Sequence, residues 1–481
     1  MTSLLHPQHY VRLGRRNVLR AWRKFGIFWF GAVLVGLVAV LFARWAIQAQ
    51  DAYVRLIDGR MWLALLITPA LTAACVWLTR RFFVGSEGSG IPQVIAAMHA
   101  PRRRQLIPSL FGLRIIVGKI GLGLLGLGAG LTIGREGPTV HIGASIMYEM
   151  RRFYPRVSPQ LERNLLLAGA AAGLSAAFNT PLAGVVFAIE EIARSFESRT
   201  NGTLITAIVV SGLVAVALAG NYLYFGQISA AIVPQASFVF PVLFAAILCG
   251  AAGGIFNLLL LRQQRWVPQR LRDIRARRPL VWGAGLGFLI ALLGIASGGE
   301  TWGSGYEQAR ALLMEQPQTV GYFYPLVKLG SMVLTYMAGT PAGLFSPSLS
   351  IGAGFGHVVS ALFPGASASA VVAMCMVGYL AAVTQSPLTS FIIVMEMING
   401  GSLLIPLMAT ALVSSRVANF FTPPLYDALA QQNYGHSTEA TPEANLATTR
   451  AGEHAEPDMA GTEPPGRDDS EVEPDPRRSS P

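Results

Sequence analysis

The sequence predicts an all-α polytopic membrane protein made of two inverted-topology repeats whose broken helices meet near the bilayer midplane. Three observations carry this. Of 481 residues, 52% are hydrophobic and only 13% are charged. Uncharged apolar runs of spanning length recur along the chain, and one glycine- and proline-rich motif returns in each half.

The mean hydropathy of +0.47 sets the chain among polytopic membrane proteins rather than soluble multidomain ones. Roughly 20 helical residues, at about 1.5 Å rise each, cross a hydrocarbon core of about 30 Å. Gly26 to Ala43 is such a run, and Met61 to Thr79, Thr203 to Phe225, Val239 to Leu261 and Pro279 to Ser297 read the same way. Residues 1–25 are basic and lead into the first run without a small-residue cleavage site. They read as a cytoplasmic segment ahead of an uncleaved helix, not as a signal peptide.

Other basic residues cluster between apolar runs, in "PRRRQ" at Pro101 to Gln105 and "RQQRWVPQRLRDIRARR" at Arg262 to Arg278. That is the positive-inside pattern of cytoplasmic loops, and it accounts for the net charge of +11 better than nucleic-acid binding does. Cys75, Cys249 and Cys375 all lie in apolar runs and read as packing residues, not as a disulfide or metal set. The plan is then a first membrane repeat over 26–226 and a second over 227–430. Residues 431–481, rich in Pro, Glu and Asp, form a disordered polar tail.

The repeat itself is explicit. "GREGPTVHIGA" at Gly134 to Ala144 returns as "GLFSPSLSIGA" at Gly343 to Ala353, so that Gly134, Pro138, Ile142, Gly143 and Ala144 recur 209 positions later. "NTPLAGVVFAIEEI" from Asn179 is echoed by "QSPLTSFIIVMEMI" from Gln385, 206 positions on, with Glu190 recurring as Glu396. Two echoes in the same order indicate duplication. Each begins with a turn that enters a short apolar helix with proline in its first turn, where the missing N–H costs nothing. Helices that start inside the membrane turn free amides and the positive end of the helix dipole toward the midplane, which makes an anion site.

A third turn, "GSGIPQV" at Gly88 to Val94, completes a constellation with "GREGP", "GLFSP" and the tyrosine of "PPLYDAL" at Pro423 to Leu429. In this order and spacing the four resemble the chloride channel/transporter (ClC) family, in its prokaryotic proton-coupled exchanger type, from about Val18 to Leu429. The resemblance implies chloride/proton antiport by a homodimer in the cell inner membrane, with cytoplasmic termini, one pathway per subunit and no cofactor, chloride being the substrate. It implies that the hydroxyls of Ser89 and Tyr426 and the amides of Leu344 and Phe345 bind chloride. Glu136 matches the family's gating glutamate. A carboxylate is itself an anion, so it can occupy the chloride site and, once protonated, swing away as gate and external proton carrier.

Arg135 and Lys119 are supporting positive charges on this reading; Lys119 reads equally as a snorkelling residue near a helix end. Glu191 matches the cytoplasmic proton-transfer acid of exchangers, which passive members usually lack; a passive chloride channel is the alternative. Glu190 and Glu396 read as structural, capping backbone or binding arginine. The chain departs from the commonest family pattern at Ala342, where glycine is usual, and at His141, which reads as a packed or hydrogen-bonding histidine.

"GLGLLG" at Gly121 to Gly126 fits a dinucleotide pattern but lies inside an apolar run with no strand before it, so helix packing explains it better. "GLRIIVGKI" at Gly112 to Ile120 fails the phosphate-loop spacing. A membrane-embedded hydrolase would need a nucleophile-base pair or a metal cluster, and seven scattered histidines without HExxH offer little to build one.

Overall fold

The computed structural model describes residues 7–99, 103–194, 202–220, 223–228, 239–316 and 320–434, without the side chains of 7–24, 103–106 and 203. Residues 1–6 of the basic leader, 100–102, which include the first two residues of "PRRRQ", and 435–481 of the polar tail lie outside the described residues.

Helix α1 (Pro7–Ile57) is one continuous helix of 51 residues, much longer than the apolar run that announced it. No proline interrupts it, and it ends where Gly59 turns with φ +65°. Then come α2 (Ala64–Arg81), α3 (Ile91–His99), α4 (Arg103–Leu110), α5 (Leu113–Leu127), α6 (Glu136–Met150), α7 (Pro159–Phe178) and α8 (Pro181–Phe187). The last runs into a π-helical turn at Ala188–Ala193 and is followed by α9 (Gly202–Ala219). The chain continues with α10 (Val239–Leu261), the short basic α11 (Gln263–Trp266) and α12 (Gln269–Arg277), α13 (Pro279–Ala296) and α14 (Tyr306–Leu313). It closes with α15 (Tyr324–Met337), α16 (Phe345–Leu362), α17 (Ala368–Thr384), α18 (Pro387–Ile398), α19 (Leu404–Asn419) and α20 (Leu425–Tyr434).

Six stretches are long and apolar enough to cross a membrane among the described residues; Ile107–Leu127 and Gly401–Asn419 add to the runs read from sequence. The predicted run Thr203 to Phe225 is helical only to Ala219, because Gly220 takes φ +88°. Beyond it, Tyr224 and Phe225 are buried. Large apolar side chains face outward, among them Phe30, Trp62, Leu66, Leu213 and Ile405. Such a surface would aggregate in water and suits a multi-pass membrane protein.

The duplication is visible in local structure. Ser158 caps α7 and Ser367, 209 positions on, caps α17, each accepting an N–H from three residues ahead. Asn179 and Gln385 close these helices in the left-handed region, at φ 59° and 60°, and Pro181 and Pro387 then start α8 and α18. Contacts between the halves are reciprocal. Glu396 of α18 accepts the N–H groups of Leu182 and Ala183 at the start of α8, at 3.2 and 2.8 Å. Glu190 accepts those of Leu388 and Thr389 at the start of α18, at 3.0 and 2.6 Å. Each carboxylate satisfies amides that have no partner within their own helix, so the structural reading of both acids holds. Within each half, the broken helix packs on its neighbour through glycine: a methyl on Gly143 would overlap the carbonyl of Gly169, and one on Gly352 would crowd that of Cys375.

Candidate functional site

Among the described residues there is no β-strand, yet two isolated bridges occur, Gly88 with Pro341 and Gly134 with Gly343. They stitch together the three turns singled out by sequence. Gly88 N donates to Thr340 O and Ala342 N to Gly88 O, both at 3.0 Å, while Gly134 N donates to Gly343 O at 2.9 Å. Gly343 sits so close to the Gly134 carbonyl that no side chain fits between them. Ala342 lies outside the left-handed region and its methyl is buried, so the turn accommodates alanine at this position.

Around these turns the chloride-site candidates converge. Ser89, Leu344, Phe345 and Tyr426 are all buried. The Ser89 hydroxyl abuts the backbone of Gly137, one residue past Glu136. The Phe345 ring stacks on Tyr426, with centroids 6.3 Å apart and planes 11° apart. The Ser89 and Tyr426 hydroxyls lie next to each other, and neither has a hydrogen-bond partner of good geometry among the described residues. Two buried orphan hydroxyls side by side suit an anion that accepts from both.

Glu136 opens α6 and is fully buried. Its carboxylate reaches across to the first turn of the other broken helix, where Oε1 accepts from Ser346 Oγ at 2.6 Å and Oε2 from Ser346 N at 3.4 Å. Tyr224 OH donates to Oε1 at 3.3 Å, and the Arg135 guanidinium lies 3.7 Å from the same oxygen. Arg135 also donates to the Ala43 carbonyl and the Tyr224 hydroxyl, and its side chain is 13% exposed. The negative charge therefore rests at a helix N-terminus, where amides and dipole favour it. Sequence reasoning missed Ser346 and Tyr224.

Lys119 is fully buried and donates to the Gly88 carbonyl at 2.8 Å, so the snorkelling alternative is excluded. Lys328, 209 positions on, does the same for the second half: it is buried and donates to the carbonyls of Thr301 and Gly303 at 2.8 and 2.9 Å. Gly303 opens "GSG", the counterpart of the "GSG" at Gly88. Each lysine holds a glycine turn against its helix. Lys328→Met is expected to destabilise the protein by about 2 kcal/mol, since it strands two buried carbonyls; an unfolding titration in mixed micelles measures this.

Glu191 lies in the π-helical turn, 1% exposed, and accepts the Ser386 hydroxyl on one oxygen; its other oxygen has no partner among the described residues. Arg194, three residues on, pairs with Asp427 beside Tyr426. The adjacent acids thus separate, Glu190 to the α18 amides and Glu191 to Ser386. His141 is buried, bonded through Nε2 to the Leu110 carbonyl at 2.7 Å, and edge-on to Phe111.

Two cavities approach the cluster and share no lining residue. One of about 1100 Å³ reaches Gly88 and Ser89 past Arg80, Arg262, Arg272 and Arg275. The other, about 380 Å³, reaches Arg135 and Tyr224 past Arg44.

Fold and site together define a polytopic membrane protein whose broken helices converge on a buried set of hydroxyls and amides. The voltage gated chloride channel family matches residues 70–419, and the chain belongs to this family. It is 31% identical to the H(+)/Cl(-) exchange transporter ClcA of Salmonella agona (strain SL483) over 456 residues, covering 89% of this chain and 94% of the relative. The ClcA of Salmonella dublin matches at the same identity and coverage. Among solved structures, a slow cyanobacterial Cl-/H+ antiporter superposes with a TM-score of 0.73 at 24% identity, over 87% of this chain and 99% of the other. A CLC-type fluoride/proton antiporter gives 0.70 at 21%, over 84% and 96%.

Proposed function

We propose that this protein is a chloride/proton antiporter, with Glu136 as gate and external proton carrier. One observation carries the reading: the Glu136 carboxylate accepts from Ser346 on the first turn of α16, where a free anion would bind and directly after the chloride candidates Leu344 and Phe345. The names of the ClcA relatives support the same activity.

Chloride enters by the arginine-lined cavity, sheds water and is received by the hydroxyls of Ser89 and Tyr426 and the amides of Leu344 and Phe345. Dipoles and hydroxyls hold it loosely enough to leave. Arg135 and Lys119 raise the local potential for anions. Chloride and the Glu136 carboxylate compete for one helix end; a proton delivered through Glu191 neutralises the acid, which then swings toward the cavity beside Arg135. Alternate occupation of one site couples the two ions in opposite directions, with chloride as substrate and no cofactor. The family resemblance supports a homodimer of inverted repeats in the lipid bilayer of a cell inner membrane, one pathway in each subunit and both termini cytoplasmic.

In liposomes with a chloride gradient, exchange moves protons against the chloride flow and the external pH changes. Chloride flux with no pH change would replace the exchanger with a passive channel.

A further inference from the structure

We propose that Ser346 and Tyr224 form a clamp that holds the ionised Glu136 side chain on the α16 N-terminus and sets the pH at which the gate releases. This deepens the antiport reading and rests on it. Ser346 is the only residue recorded with donors to both carboxylate oxygens among the described residues, its hydroxyl at 2.6 Å and its backbone N–H at 3.4 Å. Tyr224 adds a second hydroxyl at 3.3 Å on Oε1, lies 3.5 Å from Ser346 Oγ, and is itself held by the Arg135 guanidinium at 3.4 Å and edge-on by the Phe178 ring. The Tyr306 hydroxyl fixes the Tyr224 backbone by donating to its carbonyl at 2.7 Å.

The clamp exists in one half only. The repeat counterpart of Ser346, 209 positions earlier, is Gly137, which carries no hydroxyl. Hydroxyl donors favour the charged acid over the neutral one, so they oppose the protonation that opens the gate. Among the described residues, the other titratable or charged groups around this carboxylate are Arg135 on its own turn, Tyr426 on α20, and, lining the smaller cavity, Arg44 and Asp51 of α1 and Tyr306 and Glu307 of α14. None of these is altered when the Ser346 hydroxyl is removed.

The test is the pH profile of chloride turnover in liposomes. Ser346→Ala is expected to move its midpoint up by about one pH unit, the size of one charge-assisted hydrogen bond. Tyr224→Phe shifts it the same way by less, and Ser346→Thr, which restores a hydroxyl, returns it to the wild-type value. In a Glu136→Gln background Ser346→Ala moves nothing. An unchanged midpoint in Ser346→Ala, or an equal shift in the Glu136→Gln background, overturns the clamp. If the wild-type chain moves chloride without protons, the antiport reading fails separately, and the clamp is still decided by the chloride profile alone.

Discussion

Glu136→Ala is expected to retain chloride flux while proton transport falls at least ~10²-fold, the contribution of a positioned proton-transfer group. The reasoning begins with where the charge sits. A fully buried carboxylate is costly unless hydrogen-bonded, and here the bonds come from the first turn of a different broken helix, 210 residues away in sequence. On the proposed mechanism a free anion rests at that position, so removing the side chain vacates the place for chloride instead of closing the pathway. Alanine carries no proton, which uncouples the two ions. The pH dependence of chloride turnover should flatten together with the loss of coupling. Simultaneous measurement of chloride efflux and pH in one liposome preparation reads both; proton coupling preserved in Glu136→Ala would remove Glu136 from its role.

How much of this was legible in sequence depends on the range of each interaction. The turns at Gly88, Gly134 and Gly343 were readable because a tight turn leading into a proline-started helix is local chemistry. Their echo at a fixed offset then tied two distant segments to one architecture. Span limits were less legible: α1 extends far beyond Gly26 to Ala43, since an apolar run reports where lipid is but not where a helix stops. The run Thr203 to Phe225 looked continuous, and only the left-handed Gly220 shows that Tyr224 leaves the helix for the site. Ser346 and Tyr224 went unnoticed because their contacts with Glu136 span 210 and 88 residues and no periodicity encodes them. Lys328 did carry a signal, standing at the same 209-residue offset from Lys119 as the motif echo. A single lysine in an apolar run becomes meaningful only once its ammonium is found on the Gly303 carbonyl, as that of Lys119 is on Gly88.

Replacing either member of the glutamate pair separates proton transfer from scaffolding. Glu191→Ala is expected to stop proton movement while chloride still crosses and the protein still folds. Its one recorded hydrogen bond comes from the Ser386 hydroxyl, which can turn to another acceptor, and removing a buried acid relieves a desolvation cost. Glu190→Ala acts oppositely. It strands the amides of Leu388 and Thr389 at the start of α18, each left without an acceptor in its own helix. Loss of such a cap destabilises by about 1–2 kcal/mol, and Glu396→Ala should match it through Leu182 and Ala183, because the two contacts are reciprocal. The measurements are the proton-to-chloride ratio in liposomes and the unfolding midpoint in mixed micelles. Glu191→Ala should change only the ratio, and Glu190→Ala and Glu396→Ala only the midpoint, each by a similar amount. Should Glu190→Ala abolish proton flux at unchanged stability while Glu191→Ala leaves it intact, the two acids have exchanged roles, and the proton enters through the helix cap.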